Sequence, residues 1–298
     1  MRIICLLVGI GCLVASSTAL TSIRAAELVE IKEDFEPLIE GKEVDWIYGD
    51  FQMINDQISL TIANPLSTRD ANLTVRDVGA SILDLTLNDP SNDQLSAFIP
   101  AAGRYQFHDP SLIETGKDGD TVYWQCKSSN TLANDGTTAT VRYTLSDGNA
   151  FVLARITIEG DQAGEVAAYD GVRADKTFDF KQSELTAYCT DEFFRQTIGF
   201  NCPESIKPPS WKRERPMELR YAEGQVISGE NAKSWSVQIY PATCKADLLA
   251  VAEQVDDVPT KYTFQVQFPR FLRGKPAFVG RATISIQRLG KNQEAEGE

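Results

Sequence analysis

Between Ala139 and Ile158 the chain alternates apolar and polar residues on both sides of Asp147-Gly148, and no other feature restricts its fold as much. Val141, Tyr143 and Leu145 lead into the dipeptide, and Phe151, Leu153, Ile156 and Ile158 lead out of it. A period of two sends successive side chains to opposite faces of a strand, and Asp-Gly supplies the positive φ of a tight hairpin. Ile58 to Ile62, Val122-Tyr123-Trp124 and Trp235 to Ile239 repeat the strand signal, and Ser81 to Leu87 is a short, mostly apolar run. Turn residues between such runs predict a mainly β chain, an antiparallel β-sandwich. Helical periodicity is sparse. One short helix is predicted over Thr243 to Val255, where Leu248, Leu249, Ala252 and Val255 share a face.

Arg2, the uncharged apolar run from Ile3 to Val14 and the small residues Ala15 to Ala19 read as an export signal within residues 1–26. The run falls short of the ~20 residues that span a bilayer, so the mature chain is expected to be secreted or periplasmic, with no membrane span. Residues 27–257 then form the sandwich. Pro203, Pro208, Pro209 and Pro216 break 203–217 into an extended strap. Residues 258–298 carry two strand patterns, Tyr262 to Phe268, ended by Pro269, and Ala282 to Ile286, followed by a polar tail. Two strands close no sandwich by themselves. They form a partial second β element that either extends the main sheet or opens a further module.

His108 is the single histidine among 298 residues. That excludes centres built on several histidines and His–His acid/base pairs. Asp109 is its candidate orienting partner, against the plainer reading of a hydrogen-bonded loop histidine. Asp118-Gly119-Asp120 and the Asn88 to Asp93 stretch are oxygen-rich but read as solvated turns, not Ca²⁺ loops. No nucleophile elbow and no Gly-rich phosphate loop occur, so catalytic residues, cofactors and metals are not assigned. A net charge of -13 disfavours nucleic acid as a partner. Cys5 and Cys12 lie in the export signal, leaving Cys126, Cys189, Cys202 and Cys244. Two disulfides are expected in an oxidising compartment, a Cys189–Cys202 bridge among them, with four reduced, buried thiols as the alternative.

Arg69, Asn72, Arg76 and Asp77 form the most suggestive polar cluster. Arginine and asparagine make directional hydrogen bonds to sugar hydroxyls or carboxylates, whereas neighbouring Arg and Asp residues can also pair with each other. Trp211 lies in the basic stretch with Lys212, Arg213 and Arg215 and reads as an exposed aromatic face, while Trp124 and Trp235 read as core. Arg69, Asn72, Arg76 and Trp211 are therefore the candidate ligand-binding residues.

The stretches Val44 to Asp50, Asn55 to Ile58, Arg69 to Gly79 and Ile82 to Thr86 resemble the N-terminal β region of large secreted bacterial proteins, in which a PHP-type metallohydrolase domain often follows. Asn55-Asp56-Gln57-Ile58, Val78 to Ile82 and Val141 to Leu145 are also similar to the galactose-mutarotase-like supersandwich. Gly274-Lys275-Pro276 with Gly280 to Ile284 resembles the opening of a carboxypeptidase-regulatory-like β module. The supersandwich resemblance implies a sheet groove suited to carbohydrate. Mutarotases use a histidine pair with a carboxylate, and PHP centres need several histidines, which this chain lacks. The expected function is thus an exported, non-catalytic module that binds carbohydrate or a cell-envelope polymer. The alternatives are an unusual mutarotase-like sugar enzyme and an interaction module derived from a larger metallohydrolase. The oligomeric state stays open.

Overall fold

A computed structural model describes residues 25–71 (bar 36 and 38), 74–131 (bar 94), 136–160, 165–174, 179–182, 185–202 (bar 192 and 194), 210–214, 219–227, 232–243, 260–272 and 275–288. Two eight-stranded sheets dominate. From edge to edge the first contains Glu27–Glu30, Phe51–Ile54, Ile58–Ile62, Ile82–Leu87, Leu95–Ile99, Glu165–Ala174, Leu219–Ile227 and Ser210–Glu214. The second contains Asp179–Gln182, Thr186–Asp191, Gln196–Asn201, Ala232–Ala242, Val152–Glu159, Thr138–Ser146, Thr121–Lys127 and Ile113–Asp118. Neighbouring strands run antiparallel in both, as the alternation predicts. The hairpin turns at Asp147-Gly148, with Gly148 at φ 71°. Thr243 is the one described residue of the expected helix.

Aromatic contacts join the two sheets. Phe98 of the first stacks on Phe200 of the second at 5.9 Å between ring centroids, and Phe51 meets Trp124 at 5.9 Å. Trp124 and Trp235 are buried, as their strand positions require. Tyr143 adds a polar tie, its hydroxyl donating to the Ala80 carbonyl oxygen at 2.8 Å. That carbonyl belongs to a turn where Ala80 adopts φ 61° and Gly79 passes so close to Phe107 O that a Cβ would sit 2.1 Å away. Only glycine fits there.

The first sheet departs from expectation on its other face. Alternation in Ile58–Ile62 predicts one wet face, yet all five residues are buried. The described residues of 31–50 form a covering segment over the face that carries Gln52, Ser59, Thr61 and Asp84, with Asp45 N donating to Asp84. It is pinned by Ile31 N to Asp50 O (2.8 Å), by Lys42 N to Asp93 O (3.0 Å) and by Asp93 N to Glu40 O (2.7 Å). A small apolar cluster including Ala63, Val78, Leu83 and Ile99 completes the cover.

Two further expectations change. Ser210–Glu214, inside the Pro-rich stretch, is an edge strand paired with Leu219–Ile227, not only a strap. Thr260–Leu272 runs past Pro269 and pairs with Lys275–Arg288 as a two-stranded ribbon. A two-stranded ribbon has edges on both sides, where the missing proline N–H is tolerated.

The cysteines also differ from the expected bridge. Cys126, Cys189 and Cys202 are buried thiols. Cys189 faces Ile198 across the ladder, and Cys202 lies four positions further on, just past the end of that strand, its N–H bonded to Leu185 O. At ~3.4 Å per residue the separation is ~13 Å, well beyond the ~7 Å that a disulfide can bridge. Cys244 lies outside the described residues. Burial pushes the Cys126 thiol up to about 12 and raises Cys189 as well, suppressing the reactive thiolate. Native alkylation at pH 8 followed by peptide mapping should leave Cys126, Cys189 and Cys202 unlabelled, with labelling only after unfolding. A recovered Cys189–Cys202 cross-linked peptide would refute this arrangement.

Candidate functional site

The residues singled out from sequence do not converge. Arg69 is buried beneath the covering segment, where its guanidinium grips both oxygens of Asp50, Nε to Oδ1 at 3.2 Å and Nη2 to Oδ2 at 2.8 Å. The same group donates to Asp70 O at 2.5 Å and Asp45 O at 2.6 Å. Arg69 is therefore a structural cation, the internal Arg–Asp pairing that competed with ligand contact. Asn72 lies outside the described residues. Arg76 belongs to the small strand Thr74–Asp77, which pairs with Asp70–Ala71. Trp211 is half-buried, packed edge-on against Phe180 at 4.9 Å and Phe200 at 5.6 Å, with its indole N–H donating to Lys181 O at 2.6 Å. It closes the core between the sheets. The basic composition around it suggests exposure, but the aromatic partners come from strands distant in sequence.

His108 has a different partner from its neighbour. Its Nε2 meets Asp77 Oδ2, while Asp109 caps the following 3₁₀ turn by accepting from Ser111 N at 2.9 Å. The Ser111 hydroxyl and amide hold the Asp109 carboxyl below the usual range. Asp77 Oδ1 accepts from Gly79 N at 3.0 Å, which orients the carboxylate toward the histidine. Both members of the pair are partly exposed.

Beneath the covering segment lies a second polar group. Gln52, Thr61 and Asp84 form one cross-strand row on the outer face of the first sheet. Asp84 and Asp93 are fully buried, and Glu43 is nearly so. Asp84 accepts from Asp45 N at 2.7 Å, and Asp93 accepts from Leu85 N at 2.9 Å and Leu95 N at 3.2 Å. Removal from water pushes the Asp84 carboxyl up to about 7; the same burial, reinforced by Asp84 itself, raises Asp93 well above its ordinary value. Burial favours the protonated form of both aspartates, and both face inward, remote from any ligand in bulk solvent.

The open surface is the outer face of the second sheet. Core positions alternate with half-buried ones along Thr121–Lys127 and Thr138–Ser146, so Tyr123, Gln125 and Arg142 all point outward. Register sets Glu114, Gln125, Arg142 and Arg155 side by side across four strands. The Arg142 guanidinium lies 3.7 Å from the centroid of the Tyr123 ring and donates to Gln125 Oε1 at 3.3 Å. Glu114 holds both neighbours, accepting from the Tyr123 hydroxyl at 3.2 Å and from Gln125 Nε2 at 3.2 Å. Tyr123 in turn lies over Gly116, where any Cβ would stand 2.6 Å from the ring. On the next row, Ser234 Oγ accepts from Arg155 at 3.1 Å and from Thr157 at 3.2 Å. Carboxylate, amide, guanidinium and hydroxyl groups are thus fixed on rigid strands with their hydrogen-bonding edges toward solvent. Sequence reasoning passed over these residues because each is an ordinary outward strand position. Alternation alone marks them as outward, and only the register brings them together.

No protein-family model matches the chain, and no curated protein matches it. Among solved structures it is similar to a TPR-domain containing protein from Parabacteroides distasonis, at 11% identity and a TM-score of 0.43, over 65% of this chain and 47% of that one. It is similar also to a heparan sulfate lyase from Pedobacter heparinus, at 7% identity and a TM-score of 0.38, over 80% of this chain and 40% of the other. A galactose mutarotase-like protein from Clostridium acetobutylicum shares 8% identity at a TM-score of 0.40, over 74% of this chain and 99% of its own. The chain spans less than half the length of the first two.

Proposed function

We propose that this chain is an exported β-sandwich module that binds carbohydrate, without catalysis, on the outer face of its second sheet. The observation that carries the reading is the Glu114–Gln125–Arg142 row organised around Tyr123. Sugars present hydroxyl donors and acceptors at close spacing, and planar side chains held by their own hydrogen bonds meet them without a large ordering cost. The absence of a second histidine from the sequence supports the non-catalytic half of the reading.

Glycan-array profiling followed by calorimetry tests the proposal. The wild-type chain is expected to retain at least one glycan class without turnover. Tyr123→Ala and Arg142→Ala are each expected to weaken it about tenfold, the loss of one charge-assisted contact. Retention of no glycan by the wild-type chain sinks the proposal. A second reading draws on the His108–Asp77 pair, whose geometry suits a general base in a mutarotase-like sugar enzyme. Sugar epimerisation abolished by His108→Gln would favour it over simple binding.

A further inference from the structure

We infer that the covering segment carries a further carbohydrate contact: Trp46 and Tyr48 stack on a pyranose ring of a neutral glycan. This contact stands whether or not the outer face of the second sheet binds. The two rings lie 6.2 Å apart between centroids and 53° from parallel. Trp46 is half-buried, while Ile47 is 48% and Tyr48 59% exposed. Neither the Trp46 indole N–H nor the Tyr48 hydroxyl has a hydrogen-bond partner among the described residues. Apolar side chains scattered singly over a surface are ordinary, but consecutive ones on one firmly held turn mark a contact site.

The backbone beneath the rings is locked. Gly49 N donates to Ile31 O at 2.8 Å and Asp50 N to Ile47 O at 3.1 Å. Ile47 N donates to Asp50 Oδ2 at 3.0 Å, and Asn64 Nδ2 to Gly49 O at 2.9 Å. Arg69 holds both the Asp45 carbonyl oxygen and the Asp50 carboxylate, so the buried ion pair is the footing of the turn. Rings fixed before a ligand arrives give up little freedom on binding. Tryptophan and tyrosine combine an apolar face with a polar edge. A pyranose with equatorial hydroxyls is their complement, because its axial C–H groups form an apolar face and its hydroxyls a polar rim. Charge selects against other occupants. Residues 31–50 hold seven acidic residues and two lysines in a chain of net charge -13, which repels polyanions and anionic membrane surfaces. Size does likewise, since a stable protein interface takes about 20–30 residues a side and this turn presents three side chains.

Calorimetry with cellohexaose, xylohexaose and mannohexaose tests the inference, in the wild-type chain and in a Tyr123→Ala, Arg142→Ala background that removes the second-sheet face. At least one of the three sugars is expected to bind in both. In that background Tyr48→Ala is expected to weaken it about tenfold without moving the unfolding midpoint, and Tyr48→Phe to retain most of the affinity. On the unaltered chain the same sugar is expected to shield a tryptophan from acrylamide quenching. Trp46→Phe is expected to remove that shielding, since Trp124 and Trp235 are already buried. Binding that disappears in the Tyr123→Ala, Arg142→Ala background, or that Tyr48→Ala leaves unchanged there, overturns the contact at Trp46 and Tyr48 and leaves the second-sheet reading standing. Binding of none of the three sugars overturns it as well, whereas the second-sheet reading falls only with an array that retains nothing. Sedimentation with phosphatidylcholine vesicles that Tyr48→Ala abolishes, with no sugar bound, assigns the turn to a lipid surface and overturns the inference.

Discussion

Arg69→Met is expected to lower the free energy of unfolding by about 3–5 kcal/mol, the effect of leaving one member of a buried ion pair without its partner. Asp50 has no exposure, Arg69 retains 5%, and two guanidinium nitrogens reach the two carboxylate oxygens. Removing the cation also strands the carbonyl oxygens of Asp45 and Asp70. The Asp50 carboxylate would keep only its backbone donors, Ile47 N at 3.0 Å and Asn64 N at 2.9 Å. Arg69→Lys should recover little, because a single ammonium cannot reproduce the planar fork. Asp50→Asn combined with Arg69→Met should be less damaging than the sum of the two single changes, since both charges then leave together. Denaturant titration of the four proteins measures the cycle. A ligand-contact role for Arg69 predicts the opposite pattern, unchanged stability with lost binding, and a change in stability below ~1 kcal/mol would count against the structural role.

Asp84→Asn is expected to stabilise the protein at pH 8, on the order of 3 kcal/mol, and to flatten its pH dependence. In the folded chain the Asp84 carboxyl is pushed up from 3.8 to about 7, chiefly by burial, with the Asp45 and Asp50 charges adding to the effect and the Asp45 N–H opposing it. A group that binds its proton more tightly when folded contributes stability that is complete below pH 3.8 and is lost as pH rises through about 7. The loss amounts to ~1.4 kcal/mol per pH unit for each such group, and Asp93 adds a contribution of the same sign. Glu43 beside the pair sharpens the repulsion, while the neighbouring Lys42 is exposed and screens it weakly. Asparagine keeps an acceptor for Asp45 N, adds an N–H donor and has nothing to ionise. Unfolding midpoints of the two proteins from pH 4 to pH 8 should therefore diverge, with the substituted chain showing the shallower slope. Parallel slopes, or a variant weaker at every pH, would rule out the neutral buried carboxyl.

The hairpin at Ala139 to Ile158, the strands at Ile58–Ile62 and Ile82–Leu87 and the core status of Trp124 and Trp235 were legible in the chain. Their causes are local: a strand needs alternation over a few residues, and a hairpin needs a turn that tolerates positive φ. The antiparallel architecture follows from repeating those units. Pro269 shows the limit of the same logic, since a residue that ends a central strand is acceptable in a two-stranded ribbon.

The site was much less legible. Asp109 adjoins His108 in sequence, but Asp77 reaches its ring from 31 positions away. Arg69 stood out because it is charged beside other charges, and the fold spends that charge on Asp50. Cys189 and Cys202 read as a pair by count and compartment, yet ladder register holds them too far apart. Arg142 and Tyr123 drew no notice as individual outward residues, although the fold stacks the guanidinium of one on the ring of the other. Local patterning specifies which face of each strand is apolar, because the hydrophobic effect acts on every residue where it stands. Which polar side chains become neighbours depends on how strands far apart in the chain are ordered and registered. That ordering is set by the packing of the whole core, and here it separates the buried ion pair and carboxyls of the first sheet from the open arginine face of the second.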